Sequence, residues 1–130
     1  MPIKKTLLDR IAYHISPKKF SQFKILPKTG MGTNFYGPGV YLAYNEGTID
    51  SFERRMREYY DNLYRYRVAI SPDAKIIDEG DLIDYLPPDI SEDDIPKELM
   101  SRSVDGMNYF NDEDGNSVVI YNPDVLRIFR

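Results

Sequence analysis

Near the end of the chain, Ser117-Val118-Val119-Ile120-Tyr121 limits the possible folds more than any other stretch. Its side chains are β-branched and aromatic, and Asn122-Pro123-Asp124 stops it at once, so it reads as a short strand. Alternation along a strand puts Ser117, Val119 and Tyr121 on one face and Val118 and Ile120 on the other. A strand of this kind needs partners, and the chain offers several of similar length.

Ile11–Ile15 is one, ended by Ser16-Pro17 because the residue before proline is pushed out of the helical region. Val40–Ala43, Tyr66–Ile70 and Ile76-Ile77 are others, with Val104–Tyr109 and Val125–Phe129 further along. NDEDGN, residues 111–116, is a turn by composition. Ile3 to about Arg10 reads as a short helix or turn. One long segment has helical spacing: Ile49, Phe52, Met56, Tyr59 or Tyr60, and Leu63 recur at three and four between Thr48 and Tyr64. Asp50 with Glu53 is the capping pair expected at its start. Asp81–Tyr85 and Glu92–Ser101 read as short acidic helices on either side of Pro87-Pro88. Many short strands with one good helix make an α+β domain, and 130 residues make one domain, residues 1–130.

Composition removes several chemistries. The chain has no cysteine, so disulfides, zinc thiolates and cysteine nucleophiles are out, and His14 is the only histidine. Gly30-Met31-Gly32 lacks the third glycine of a dinucleotide fingerprint, and there is no Gly-Lys-Ser/Thr phosphate loop. No apolar run reaches the roughly 20 residues of a membrane span, and the first residues do not form a signal peptide. The expected setting is therefore the cell interior, in the cytoplasm, with no membrane partner. Charge is unevenly spread. Residues 1–30 carry seven Lys/Arg against one Asp, whereas residues 73–116 carry fourteen Asp/Glu against three Lys/Arg. The acidic block fits a solvated face, and the net charge of −4 argues against strong non-specific nucleic-acid binding.

What remains is a constellation of order and spacing. Tyr13-His14-Ile15-Ser16 ends a strand, and a basic loop follows with Lys18, Lys19, Lys24 and Lys28. Gly37-Pro38-Gly39-Val40-Tyr41-Leu42-Ala43 comes next, then the helix carrying Phe52. Val104-Asp105-Gly106-Met107 and Ser117-Val118-Val119-Ile120-Tyr121-Asn122-Pro123 close the series. This order resembles the ADP-ribosyltransferase superfamily, in the branch with a His-Tyr-Glu signature. That branch includes diphtheria toxin and the poly(ADP-ribose) polymerases. The chain is also similar to short domains of this type in phage and mobile-element proteins, for which the cytoplasm would be that of the host cell. The resemblance runs from Tyr13 to about Ile128.

The resemblance implies two small, mostly antiparallel sheets flanking an NAD cleft, with few helices. It implies that His14 hydrogen-bonds a ribose hydroxyl of NAD, that the main chain of Ile15 faces the nicotinamide amide with Ser16 beside it, and that Tyr41 stacks on the nicotinamide ring. Phe52, eleven residues after Tyr41, matches a second aromatic closing that sandwich. Gly37 and Gly39 would let the chain turn beside the bound ring. Lys18, Lys19, Lys24 and Lys28 would meet the diphosphate, or form a solvated surface. His14, Tyr41 and Phe52 also fit as ordinary packed side chains. Three positions depart from the pattern: Ile15 replaces the Gly after the histidine, Ser117 replaces the signature Glu, and Gly115 stands where many mono-transferases carry an acceptor-recognising Gln or Glu. The implied catalytic set is thus His14, Tyr41 and Ser117. The implied NAD contacts are His14, Ile15, Ser16, Gly39, Tyr41 and Phe52, with no metal. The expected function is transfer of one ADP-ribose from NAD to a macromolecular acceptor, with release of nicotinamide. Its rival is a non-catalytic domain of the same fold that binds NAD, an ADP-ribose-like ligand or a protein partner. A weaker third class is an interaction protein with an acidic surface and no nucleotide site.

Overall fold

The computed structural model describes residues 10–20, 22–23, 36, 39–111 and 115–129. Seven strands form one sheet: β1 (Arg10–Ser16), β2 (Val40–Ala43), β3 (Tyr64–Ile70), β4 (Ile76–Asp78), β5 (Gly106–Asn111), β6 (Gly115–Ile120) and β7 (Leu126–Ile128). Their order across the sheet is β4-β5-β6-β2-β1-β3-β7, and every pairing is antiparallel except β4 with β5. Among the described residues, two α-helices, α1 (Glu46–Met56) and α2 (Ile95–Ser101), join 3₁₀ turns at Glu79–Asp84, Glu92–Asp94 and Pro123–Val125. The α+β class is as expected. No helix among the described residues is long and apolar enough to cross a membrane.

The two separate sheets implied by the resemblance are replaced by one continuous sheet, but its middle is narrow. β1 pairs with β3 along its whole length, and β2 pairs with β6 along its own. Between β1 and β2 the register is the single pair Tyr13↔Ala43. The sheet is therefore two well-paired halves, β4-β5-β6-β2 and β1-β3-β7, hinged on one seam.

Alternation fixes what lies on each face. On one, Ala12, Leu42, Tyr66, Val68, Val118 and Ile120 share a core with Phe23 and Val40. On the other, Val119, Tyr121, Met107 and Tyr109 pack against Ile95 and Leu99 of α2, and Ile15 and Ala43 pack against Ile49 of α1. Ser117–Tyr121 thus divides between faces as its alternation predicts. Val118, Val119 and Ile120 are all fully buried. Burial of such side chains contributes about 1.5–3 kcal/mol each.

The helix starts and stops earlier than its periodicity predicts. Asn45, not Asp50, caps it, its side-chain oxygen accepting the Gly47 N–H at 2.7 Å. Asp50 and Glu53 instead hold Arg65 of β3 at 2.7 and 3.4 Å. The helix ends at Met56 because Tyr64 and Arg65 are already strand, paired with Ser16 and Ile15. The segment expected at Ile3–Arg10 lies outside the described residues except for Arg10, which opens β1.

Candidate functional site

His14 sits on β1 at the seam and spans it. Its Nδ1 lies 3.0 Å from the Tyr41 carbonyl oxygen of β2. A carbonyl only accepts, so Nδ1 carries the proton in this bond and Nε2 is left with its lone pair. Phe20, Phe23 and Tyr66 surround the ring, with centroids at 6.1, 5.2 and 6.3 Å. Burial among them lowers the imidazole pKa below its ordinary value, and the bond to Tyr41 opposes this. The ring is therefore neutral at pH 7. The residue as a whole is half-buried.

The other implied site residues do not all join His14. β1 alternates, so His14 and Ser16 project to one face and Ile15 to the other. Ile15, Tyr41, Phe52 and Ser117 share the face that carries both helices. Ile15 is 8 % exposed, and its side chain packs with Ala43, Ile49 and Phe52. The Arg55 guanidinium covers the Phe52 ring at 4.6 Å. Ser117 is 2 % exposed, in register with Ala43 on one side and Tyr109 on the other. Ser16 turns the chain, its Oγ accepting the Lys18 N–H at 3.1 Å.

Tyr41 belongs to a tyrosine cluster that sequence reasoning did not find. Its hydroxyl oxygen accepts the Tyr36 N–H at 3.1 Å, and the Tyr121 hydroxyl donates to the Tyr36 carbonyl at 2.9 Å. The Tyr36 hydroxyl donates to Glu79 at 2.6 Å, while the other Glu79 oxygen accepts the Phe110 N–H at 3.0 Å. The main chain of Tyr36 is thus clamped between two phenols. Burial pushes the Tyr41 hydroxyl up to about 12. Tyr36 also rises to about 12, by burial first and then by its bond to Glu79. All these phenols stay protonated at any physiological pH. The sequence hint was that Tyr36 precedes the Gly-Pro-Gly turn and that Tyr121 shares a face with Ser117.

Gly39 has a packing reason within the protein. A Cβ there would lie 2.7 Å from Val119 Cγ2 and 3.1 Å from the Ile120 carbonyl oxygen. The glycine lets β2 approach β6, so packing within the protein accounts for it. Gly37, Lys24 and Lys28 lie outside the described residues. Lys18 and Lys19 are exposed, and the Tyr66 hydroxyl fixes their turn by accepting the Phe20 N–H and donating to the Lys18 carbonyl, each at 2.9 Å. Asp105 is a brace: its carboxylate takes the Lys75 N–H and the Asn122 side-chain amide, each at 2.9 Å.

A groove of about 620 Å³ is lined by Lys19, Phe20, Leu63, Tyr64, Arg65, Tyr66, Ile128 and Phe129. A second, of about 190 Å³, involves Asp78, Glu79, Asn108, Tyr109, Phe110 and Asn116. Neither is lined by His14, Tyr41 or Ser117. The chain matches no family model, no curated protein and no solved structure.

Proposed function

We propose that this chain is a non-catalytic domain of ADP-ribosyltransferase type, which holds an ADP-ribose-like ligand at the seam between the halves of its sheet. The observation that carries this reading is the side chain of Ile15. By the resemblance, nicotinamide would lie against the main chain at this position, between Tyr41 and Phe52. Ile15 here has a branched side chain that packs with Phe52, Ala43 and Ile49. Ser117 points the same way: a buried hydroxyl can hydrogen-bond a ribose but cannot oppose the positive charge that forms as nicotinamide leaves. Lack of such electrostatic stabilisation costs on the order of 10²–10³ in rate.

One feature favours the transferase reading, in which NAD donates a single ADP-ribose to a macromolecular acceptor. His14 is held by the Tyr41 carbonyl in the tautomer that leaves Nε2 as an acceptor for a ribose hydroxyl. That geometry serves either a bound donor or a bound product, so it supports nucleotide binding more than turnover.

Calorimetry with NAD and with ADP-ribose, beside an assay for nicotinamide release, separates the readings. The wild-type protein is expected to bind ADP-ribose at least as tightly as NAD and to release no more nicotinamide than His14→Ala. The Ile15→Gly/Ser117→Glu variant opens the packed position and adds a carboxylate, so it is expected to gain release. Wild-type release well above the His14→Ala control would establish the transferase instead. Binding of neither nucleotide by folded protein would remove the ADP-ribosyl reading altogether.

A further inference from the structure

Two surface features lie at opposite ends of the sheet. At the β7 end lies the large groove, floored by Phe20, Tyr64, Ile128 and Phe129 and bordered by Lys19. Lys18 is exposed in the same turn, and the Arg67 guanidinium lies 4.8 Å from the Phe129 ring centroid. Arg65 also lines the groove, but Asp50 and Glu53 already hold it. β1, β3, β7 and the turn 17–20 contain no Asp or Glu. At the β4 end, the Glu79–Asp84 turn presents Ile83 at 84 % exposure between Asp81 and Asp84, which are also exposed. Residues 73–111 carry eleven Asp/Glu against three Lys/Arg. An apolar, aromatic groove with a basic border thus stands at one edge of the sheet. An apolar knob with an acidic border stands at the other.

We propose that the groove takes the Ile83 knob of a second copy of this chain. Apolar surface and charge match at the same contact, and opposite charge around a small apolar centre gives both register and rapid encounter. Groove and knob lie at the two ends of one sheet, so the contact is heterologous, and association continues past a dimer or closes into a ring. Phe20 and Tyr66 line the groove and also flank His14, so the contact is tested with no nucleotide present.

Sedimentation velocity on the full chain, without nucleotide, tests this. It would run from about 10 μM to about 1 mM, where an interface under about 1,200 Å² is expected to act. Mean mass is expected to rise with concentration beyond a dimer or to a ring. The apparent Kd should weaken about tenfold between about 0.05 and 0.5 M salt, as exposed charges are screened. Ile83→Ser removes the knob at a solvent-exposed site and is expected to abolish association. Lys18→Glu/Lys19→Glu and Asp81→Lys/Asp84→Lys are each expected to stay monomeric, because each places like charges at the contact. Mixing the two variants pairs an acidic groove with a basic knob, and a basic groove with an acidic knob, so association is expected to return. A wild-type protein monomeric throughout the range overturns the proposal, as does association unaffected by Ile83→Ser, or a mixture that stays monomeric. Monomeric wild type that binds a single-stranded oligothymidylate through Lys18 and Lys19 would assign the groove to nucleic acid and also overturn it.

Discussion

The two halves of the sheet are built to different rules. In β4-β5-β6-β2, the central strand β6 is covered on both faces: Val118 and Ile120 look into one core, and Val119 into the other. In β1-β3-β7, strand β3 begins Tyr64-Arg65-Tyr66-Arg67, and only from Val68 onward are consecutive residues buried. The first half carries most of its charge outside the sheet, in the acidic turns Glu79–Asp84 and Glu92–Asp94. The second carries cations on its strands and in the turn that follows β1. The first half has its central strand buried on both faces. The other keeps polar side chains available and supplies His14 to the seam.

The contrast is tested most strongly by truncating equivalent isoleucines. Ile120 is fully buried in the doubly covered strand, whereas Ile128 is partly exposed on the edge strand β7. Ile120→Ala is expected to lose about 2–5 kcal/mol by lost transfer energy plus a residual cavity. Ile128→Ala is expected to lose less than half as much, because the edge can relax and water already reaches the site. Urea titrations of both variants give the comparison, and equal losses would show that the two halves are equally load-carrying.

A smaller effect is expected at the glycines. At Gly106 an added Cβ would meet the Val119 carbonyl oxygen at 2.6 Å, which is backbone and cannot step aside. At Gly39 the nearest atom is Val119 Cγ2 at 2.7 Å, a side chain that can rotate. Gly106→Ala is therefore expected to cost about 1–3 kcal/mol by overpacking, and Gly39→Ala the lower part of that range. If NAD binding fell sharply in a stable Gly39→Ala protein, the turn would have a ligand-facing role after all.

These residues also show what the sequence could and could not reveal. Strand positions were legible because β-branched runs are stopped by proline and asparagine, and Val40–Ala43 appears with the limits expected. The α+β class followed from them. The seam was not legible, since pairing between β1 and β2 depends on the register of segments far apart in the chain. Helix α1 was misplaced because Asn45 supplied the cap, while the Asp50 and Glu53 expected there bind Arg65. The site residues were legible as an ordered set, but not their faces. His14 and Tyr41 are joined through an imidazole and a main-chain carbonyl while their side chains leave in opposite directions. The Tyr36 clamp was hidden because its partners are far apart in the chain, Tyr41 on β2 and Tyr121 just past the end of β6.

Acid offers a way to strain the seam alone. His14 has an ordinary pKa of 6.5, lowered in the folded state by burial, so the unfolded chain binds the proton more readily. Stability from the neutral ring is therefore full above 6.5 and declines as pH falls from there toward the lowered value. Chemical denaturation between pH 7 and pH 5 is expected to show this decline in the wild type. In His14→Gln, which keeps a donor for the Tyr41 carbonyl but does not titrate, the decline is expected to vanish. A profile identical in both proteins would mean that the seam tolerates an imidazolium.

The smallest effect is expected where the two halves meet α1. Arg65 reaches Asp50 at 2.7 Å and Glu53 at 3.4 Å, tying the basic half to the helix that covers Ile15. All three side chains are partly exposed, at 33, 54 and 28 %, so water screens the attraction and ordering three long side chains opposes it. The bond to Asp50 is the main reason the guanidinium holds its proton even more firmly than usual. Arg65→Met keeps the apolar stem against the sheet and removes the charge. Its expected cost is at most about 1 kcal/mol at low salt, falling toward zero near 1 M salt. The variant also leaves Asp50 without this partner, while Glu53 keeps Arg57 at 3.3 Å. If groove recognition depends on Lys18 and Lys19, association should weaken only slightly in Arg65→Met. A loss as complete as in Lys18→Glu/Lys19→Glu would move the electrostatic centre of the basic half from the turn after β1 to the junction of β3 with α1.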